Sequence, residues 1–401
     1  MPLGRRSGAA RFIVIVIALL AALPAAAQQS RIYREGRSWV EETSGTLQPA
    51  PRQLRVTAQV GNIRVQGGSP GLTWTVKKRS YASTEQEARK QFGRLRVATR
   101  KVNDQAFIET SWLGGRVNRF GGEITVQVPR EMEFIHLHTN GGNLNVVGSS
   151  ARVELATRGG NITLEDIGGA VKATTAGGNI TMGAIHNSVM VKSGGGNIII
   201  NNVKGRVDVN TAGGDISIGN AEGVAVETMG GSVDVRRSAT DVVVKTLGGS
   251  ISLGDIGGKA VVQTAGGNIR VGSAKGKVSA VTAGGNIELF KLAQGATAQS
   301  GAGCIRAEFV GGRGNFSDSS LRTAAGDVVV YLGGGLPVTV HAASEMTSGR
   351  GVRSDFPELK VTTEGGEFGP KSMYLDGTLN GGGPVLKVRT TIGQIEIRKA
   401  K

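Results

Sequence analysis

The side chains best suited to metal or nucleophilic chemistry are four histidines and a single cysteine. His136 and His138 are two residues apart, so in a strand they share one face, where two imidazoles could bind a metal. No third ligand is evident beside them, and the pattern favours solvent-facing histidines. Cys304 excludes an internal disulfide, and it indicates a small residue at a turn rather than a reactive thiol.

The acidic side chains could serve a glycosidase or a polysaccharide lyase only if they were clustered in a cleft. The acids predicted to point outward are instead scattered among basic residues: Glu154, Asp208, Asp234 and Glu288. The segments around them contain few insertions from which a cleft could be built. We therefore predict no catalytic residue and regard the protein as non-enzymatic, while a carbohydrate-active enzyme acting on acidic polysaccharide stays the alternative.

Two glycine-rich patterns resemble ligand loops but lack the residues that bind the ligand. Calcium-binding β-rolls need Gly-Gly-x-Gly-x-Asp, and here the fourth and sixth positions are aliphatic. The segment 253–260 resembles a phosphate loop, yet it has Leu253 in place of the first glycine and Ala260 in place of the metal-binding hydroxyl. The sequence thus predicts no metal and no cofactor.

Positive charge is concentrated before residue 140. Residues 28–139 contain 18 Lys and Arg against 10 Asp and Glu, within a chain of formal net charge +16. A cluster there could attract anionic envelope polymers or glycans, although a merely solvated cationic surface is the other interpretation. Nucleic acid is not expected, because aromatic residues are not interleaved with the charges. The predicted basic patch comprises Lys77, Lys78, Arg79, Arg89, Lys90, Arg94, Arg96, Arg100 and Lys101.

The elements that must position these residues follow from a repeat of eighteen residues. Two small residues, usually Gly-Gly, precede Asn, Asp or Ser, then Ile or Val, any residue, and an aliphatic one. The polar position falls at 143, 161, 179, 197, 215, 232, 250, 268, 286 and 304. A fixed short period is typical of a solenoid, in which each unit buries its apolar side by stacking on its neighbours.

Each repeat reads as two short strands joined by two turns. In the unit that starts at Asn161, Ile162 and Leu164 point inward, and Val171 and Ala173 repeat the alternation. The polar position predicts a ladder of side chains that bond backbone groups, and a second column of Thr and Ser should also serve the turns. The fold class is therefore all-β: a parallel β-solenoid with a narrow aliphatic core.

Four regions follow from these patterns. Residues 1–27 have a basic start, a twelve-residue apolar run and small residues before Gln28, typical of a cleaved signal peptide, with an uncleaved anchor as the alternative. Residues 28–135 should form a β-rich N-terminal cap with one short helix at 84–92, capped by Ser83. Residues 136–311 hold the regular repeats. Residues 312–401 should form irregular coils that close the rod.

The chain resembles a bacterial "putative adhesin" β-strand-repeat family, a domain of unknown function. The resemblance is carried by the early Gly61-Asn62-Ile63 unit, the Val128-Pro129 junction, the Gly-Gly-Asn-Ile array and the closing segment 388–395. It covers most of residues 50–399. It implies a cell-envelope or surface location and a binding role, and it supplies no catalytic residues.

The sequence as a whole favours an exported, non-catalytic binding or structural protein of the periplasm or cell surface. Its expected partners are anionic envelope polymers, glycans or envelope proteins, with at most peripheral membrane contact. A purely architectural or sensory element of the envelope remains a further hypothesis.

Overall fold

The computed structural model describes residues 29–114, 120–310, 316–347, 351–365 and 371–400. Within these ranges the chain consists of β-strands and one α-helix. The signal peptide expected at residues 1–27 lies outside the described residues. Two long sheets face each other, and one of them, here sheet A, contains 18 strands. The other strands form sheet B.

The first part of the chain supplies eight strands and the helix. Alternating buried residues give β5 and β7 one inward face each. The elements are β1 (Gln29–Glu35), β2 (Ser38–Leu47), β3 (Gln53–Ala58), β4 (Asn62–Gly67), β5 (Leu72–Ser80), α1 (Glu85–Phe92), β6 (Leu95–Val102), β7 (Gln105–Trp112) and β8 (Phe120–Val128).

The regular coils each contribute one strand to each sheet. Sheet B receives β9 (Phe134–Thr139), β11 (Arg152–Thr157), β13 (Val171–Thr175), β15 (Val189–Ser193), β17 (Arg206–Thr211), β19 (Gly223–Thr228), β21 (Val242–Thr246), β23 (Ala260–Thr264), β25 (Val278–Thr282) and β27 (Ala296–Ala302). Sheet A receives β10 (Leu144–Ser149), β12 (Ile162–Ile167), β14 (Ile180–Ile185), β16 (Ile198–Val203), β18 (Ile216–Ala221), β20 (Val233–Ser238), β22 (Ile251–Ile256), β24 (Ile269–Ala274), β26 (Ile287–Leu292) and β28 (Ile305–Phe309).

The last part of the chain is less regular. Its strands are β29 (Ser319–Ala325), β30 (Val328–Leu332), β31 (Val338–Thr347), β32 (Val352–Ser354), β33 (Lys360–Glu364), β34 (Lys371–Leu379), β35 (Val385–Ile392) and β36 (Ile395–Lys399).

Strand pairing confirms the predicted solenoid. Ile162 pairs with Ile180 in sheet A, and Val171 pairs with Val189 in sheet B, both in parallel register eighteen residues apart. These side chains are at most 3% exposed, as are nearly all the predicted inward positions. Burial of aliphatic surface contributes about 25 cal/mol per Å², so the core between the sheets is the main stabilising element.

Each sheet A strand from β10 to β26 has a third inward residue that simple alternation does not predict. In β12 the buried residues are Ile162, Leu164 and Ile167, so Glu165 and Asp166 both point outward between them. Asp166 reaches this arrangement with a φ of 53°. This kink turns one more side chain into the core, while pairing with the neighbouring coils stays eighteen residues apart on both sides of it.

The predicted polar ladder is present along one corner of the rod. The Oδ1 atoms of Asn143, Asn161 and Asn179 each accept a hydrogen bond, at 2.8 Å, from the backbone amide eighteen residues later. The predicted hydroxyl column also serves the turns. Thr157 Oγ1 donates to the carbonyl of Gly142 at 3.0 Å and accepts from the amide of Gly160 at 3.2 Å.

Close stacking explains the second glycine of the repeat. A Cβ added at Gly178 would lie 1.9 Å from the carbonyl oxygen of Gly160 in the previous coil, whereas one added at Gly177 would meet nothing within 4 Å. Only a residue without a side chain fits the inner position, because the backbones of adjacent coils meet there.

Coil stacking extends into the region predicted as the N-terminal cap. Strand β3 lies in parallel between β7 and β9, and β4 lies in parallel between β8 and β10. Two further coils therefore precede the regular array, in an order that differs from the order of the chain. Antiparallel strands cover their outer edges: β5, β2 and β1 follow β8 in sheet A, and β6 follows β7 in sheet B.

The helix is present, but its predicted cap is wrong. Thr84, not Ser83, has the extended backbone of an N-cap, and its side chain accepts from the amide of Glu87 at 3.3 Å. Ser and Thr are both favourable N-cap residues. Thr84 is the N-cap here because the helix begins at Glu85, one residue later than a Ser83 cap would require.

At the other end the rod also departs from chain order. In sheet A, β36 pairs with both β30 and β32. In sheet B, β35 lies between β29 and β31, and the antiparallel strands β34 and β33 complete the edge.

Candidate functional site

A groove runs along sheet B where its strands end and the chain turns. It has a volume of about 1010 Å³ and extends from Ser193 on β15 to Arg322 and Ala324 on β29 and its turn. Eight neighbouring strands contribute to it, so at a strand spacing of about 4.8 Å it is roughly 34 Å long.

Three rows of residues line the groove because the repeat keeps its register. Thr and Ser hydroxyls form the floor, where they are buried in turn hydrogen bonds. The residues at the turns that follow the strands form one side of the groove, and most of them are alanine or glycine. The two large side chains in this row, Met229 and Leu247, are 61% and 63% exposed. The outward row at the strand ends contains Asn210, Glu227, Lys245, Gln263, Val281, Gln299 and Arg322.

The outward row offers hydrogen-bonding groups at a regular spacing. Glu227 and Lys245 are neighbours in register, yet neither forms an ion pair with any residue that the structure describes. The side chains of Gln263 and Gln299 add amide donors and acceptors, and Glu227 is the one carboxylate of the lining. Chemically, this surface is suited to binding an extended molecule with repeated hydroxyl or amide groups rather than to acid–base catalysis by two carboxylates.

A second, smaller depression continues the groove onto the outer face of sheet B. Its volume is about 290 Å³, and it shares Asn210, Glu227 and Lys245 with the groove. Met190 and Asp208 lie on its far side. The groove and this depression together form one concave surface across β15, β17, β19 and β21.

The nine residues of the predicted basic patch lie on three different elements. Lys77, Lys78 and Arg79 are on β5 in sheet A, Arg89 and Lys90 are on α1, and the other four lie at or within β6 in sheet B. The sequence places them near one another along the chain, but the fold distributes them between the two sheets and the helix.

Most of these cations are already engaged. Five have a carboxylate partner within 4 Å: Lys77, Lys78, Arg79, Arg89 and Arg100. The Nζ atom of Lys101 donates to the carbonyl of Pro49 at 2.6 Å. Such pairs reduce the local positive field, so Lys90, Arg94 and Arg96 are the members with charge most available to a ligand.

Among the residues of the predicted basic patch, Lys78 is largely buried and does not belong to the surface. Its side chain is only 10% exposed, and its ammonium group lies 2.6 Å from a carboxylate oxygen of Glu41. It also donates to the carbonyl of Phe92 at the end of α1, at 3.2 Å. Lys78 therefore fixes the helix to the sheet, and it does not present its charge to solvent.

The histidines do not form a metal site with neighbouring residues. Within the described ranges, no group of three or more His, Cys, Asp or Glu side chains is arranged to hold a metal ion. His136 lies 3.8 Å from Glu154, and burial together with nearby Arg55 lowers its pKa despite the opposing effect of Glu154. Cys304 is exposed at the polar position of its coil, as the repeat predicts.

The other two histidines, isolated along the sequence, each lie beside an aspartate. His186 Nε2 is 3.4 Å from Asp166, and His341 Nδ1 is 2.6 Å from Asp376. The pair of His341 and Asp376 could not be read from the sequence, because it depends on the antiparallel pairing of β31 with β34. The periodic outward residues, such as Gln263 and Gln299, were the signal that could have revealed the groove.

No helix in the described ranges has the length and apolar character needed to cross a lipid bilayer. The one helix described, α1, has eight residues.

Comparison with solved structures finds similar proteins, but with low TM-scores and low sequence identity. A "putative adhesin" from Parabacteroides distasonis is 9% identical, with 90% of this chain and 97% of that chain covered, at a TM-score of 0.24. A "putative adhesin" from Bacteroides fragilis is 12% identical, with 94% and 99% covered, at a TM-score of 0.20. At these values the likeness carries no argument about function, and no curated protein matches the chain.

The family comparison is more specific, and it confirms the resemblance expected from the repeat. The match covers residues 51–237, which include the two early coils, α1 and the first half of the regular array. The repeats after residue 237 continue the same register. Residues 51–237 match the model of the Toastrack DUF4097 family, a domain of unknown function.

Proposed function

We propose that this protein is an exported, non-catalytic binding protein of the cell envelope that holds an extended glycan along the sheet B groove. The observation that carries the proposal is the row of outward side chains on seven successive strands, six of which can form hydrogen bonds, with Val281 as the exception. A polymer of repeating units can use the same contact in successive coils, which a compact ligand cannot. The adhesin-like role rests on this groove and on the export signal expected at residues 1–27.

The chemistry of the lining favours a glycan over a folded protein partner. Protein interfaces are anchored by buried Trp, Tyr and Arg side chains, whereas the groove lining contains no aromatic residue and only one arginine, the exposed Arg322 at its end. Amide and hydroxyl groups match sugar hydroxyls, while Met229 and Leu247 offer apolar surface to the carbon faces of sugar rings.

The alternative of a carbohydrate-active enzyme has less support. Hydrolysis by the usual mechanism needs two carboxylates at the scissile bond, and the groove lining contributes Glu227 alone. A non-catalytic role is therefore the better proposal. Incubating the protein with a bound polysaccharide and measuring chain length would reverse this choice if the polymer became shorter.

A bulky residue in the groove provides the direct test. Ala265 is exposed at the corner row, so Ala265→Trp should obstruct the groove without disturbing the core. Ser217→Trp, on the exposed face of sheet A, is the matched control. Binding to a panel of neutral and acidic polysaccharides should fall at least about tenfold for Ala265→Trp, as expected when a central contact is blocked, and stay unchanged for the control. Equal binding by both variants would refute the proposal that the polysaccharide binds in the groove.

The N-terminal basic patch remains a separate proposal for anionic polymers. Lys90, Arg94 and Arg96, which have neither a described carboxylate partner nor a backbone contact like that of Lys101, are the ones to neutralise. If they attract anionic envelope polymers, binding should weaken with rising salt, and the triple Gln variant should lose that salt dependence. Binding that is insensitive to salt in the unmodified protein would remove the patch from the proposal.

A further inference from the structure

A third concave region, here called the pocket, lies at the C-terminal end of the same face of sheet B. It has a volume of about 460 Å³ and is formed by β29, β35, β31 and β34. Strand pairing aligns two rows of outward residues across it. One row is Ser320, Lys387, His341 and Asp376, and the other is Arg322, Arg389, Ala343 and Tyr374.

Three cations and one carboxylate, that of Asp376, line this pocket. Arg322, Lys387 and Arg389 are exposed, and none of them forms an ion pair with a residue that the structure describes. Arg322 and Arg389 are direct register partners on adjacent parallel strands, about 4.8 Å apart along the sheet. Like charges placed opposite each other destabilise a sheet, so this arrangement has a cost that a bound anion would offset.

The acidic groups nearby have partners other than these three cations. Asp376 lies 2.6 Å from His341 Nδ1, at the far side of the pocket from Arg322. Glu345, beyond the second row, accepts a hydrogen bond from Thr391 at 3.3 Å. Neither carboxylate neutralises the pair of arginines.

We infer that this pocket binds an oxyanion group, such as a carboxylate or sulfate, on the glycan that occupies the groove. Arginine presents a planar fork that matches such a group with two hydrogen bonds, and Lys387 adds a point charge. The inference rests on the proposed function, since Arg322 lines both the groove and the pocket and so makes them continuous. The occupant is therefore an acidic polysaccharide whose charged unit lies at the β29 end.

The pocket was not expected from the sequence. Arg322 and Arg389 are far apart along the chain, and the residues between them interrupt the repeat. They become neighbours because β35 returns to pair with β29.

Calorimetric titration with an acidic oligosaccharide and its carboxyl-reduced, neutral counterpart tests the pocket. Arg389→Gln should weaken binding of oligogalacturonate about tenfold, as for loss of a charge-assisted hydrogen bond, and should leave the neutral oligomer unaffected. Arg158→Gln removes the same charge from an exposed position in the regular array and is the matched control. Equal weakening by both variants would show that only net charge matters, and it would overturn the site.

Two further measurements test the pocket independently of binding along the groove. A sulfated oligosaccharide distinguishes sulfate from carboxylate as the preferred group, and binding of neither acidic oligomer above the neutral one would overturn the pocket. Asp376→Asn should raise affinity for the acidic oligomer by about two- to fivefold, because it removes a neighbouring negative charge, and a decrease would count against the site.

Failure of the groove has a different signature. If no oligosaccharide of any charge binds, the proposed function fails. The pocket is then tested by titration with inorganic sulfate, monitored by amide NMR shifts on β29 and β35. Shifts that Arg389→Gln abolishes would support the anion site independently, and their absence would overturn it.

Discussion

The side-chain oxygen of Asn161 accepts a hydrogen bond from the backbone amide of Asn179, one coil later, at 2.8 Å. Asn179 repeats this contact with Asn197 at the same distance. Each member thus satisfies the turn of the next coil, which would otherwise present an unpaired amide at a tight corner.

Replacing one member of this ladder should cost a small, measurable amount of stability. Asn179→Ala removes the acceptor for the amide of Asn197, and we expect a loss of about 0.5–1.5 kcal/mol in the free energy of unfolding. Denaturant titration checks this value. Asn179→Asp is the control, because Asp215 performs the same role at 2.8 Å for Ser232, so this variant should retain most of the stability.

The ladder is interrupted at Cys304, and restoring it should stabilise the rod. The amide of Cys304 donates to Asn286, but no described side chain accepts from the amide of Asp327, which follows in register. Cys304→Asn supplies an acceptor and should raise the free energy of unfolding by about 0.5–1 kcal/mol. Cys304→Ala should give no such gain, and a similar increase in both variants would mean that loss of the thiol is responsible.

The paired glycines should differ sharply in their tolerance of a side chain. Gly178→Ala places a methyl group 1.9 Å from a backbone carbonyl and must push two coils apart, so we expect a loss of about 1–3 kcal/mol or more. Gly177→Ala meets nothing within 4 Å and should be nearly neutral. Thermal unfolding of the two variants provides the comparison, and comparable melting temperatures would contradict the close coil contact.

His136 should make stability depend on pH. Burial, then Arg55, lowers its pKa in the folded protein, while the unfolded chain retains the ordinary value. The unfolded state therefore binds more protons as the pH falls through the histidine range, and the folded state is destabilised there. His136→Gln should flatten this part of a pH–stability curve measured by denaturant titration between about pH 5 and 8.

A substitution at Glu154 should change the pH dependence in the opposite direction to His136→Gln. Its carboxylate raises the pKa of His136 and so opposes the effect of burial. Glu154→Gln should lower that pKa further and make the loss of stability at low pH steeper. An unchanged curve in both variants would exclude His136 as its source.

The periodic part of the fold could be predicted because period alone determines which residues are neighbours. The inward columns, the Asn ladder and the hydroxyl column all follow from the eighteen-residue spacing, as Ile162 and Ile180 illustrate. The third inward residue, such as Ile167, could not be anticipated, because two consecutive outward residues, Glu165 and Asp166, break the alternation before it.

Neither end of the rod follows from local spacing. The coil formed by β3 and β4 is placed between strands that come later in the chain, and Arg322 meets Arg389 only through the return of β35. Such pairings are decided by long-range packing. Within the predicted N-terminal patch, closeness along the chain likewise does not place Lys78 and Arg96 in one sheet.

The position of β36 has a consequence for how the molecule is assembled. A polypeptide delivered from its N-terminus can stack its middle coils as they emerge, since each rests on the one before. The place between β30 and β32, however, stays open until residues 395–399 arrive. Up to that moment the edge of β30 is free to recruit strands from other molecules. Truncation before residue 395 should thus promote aggregation, measurable by light scattering, and a chaperone that shields this edge during synthesis or export would protect the final step.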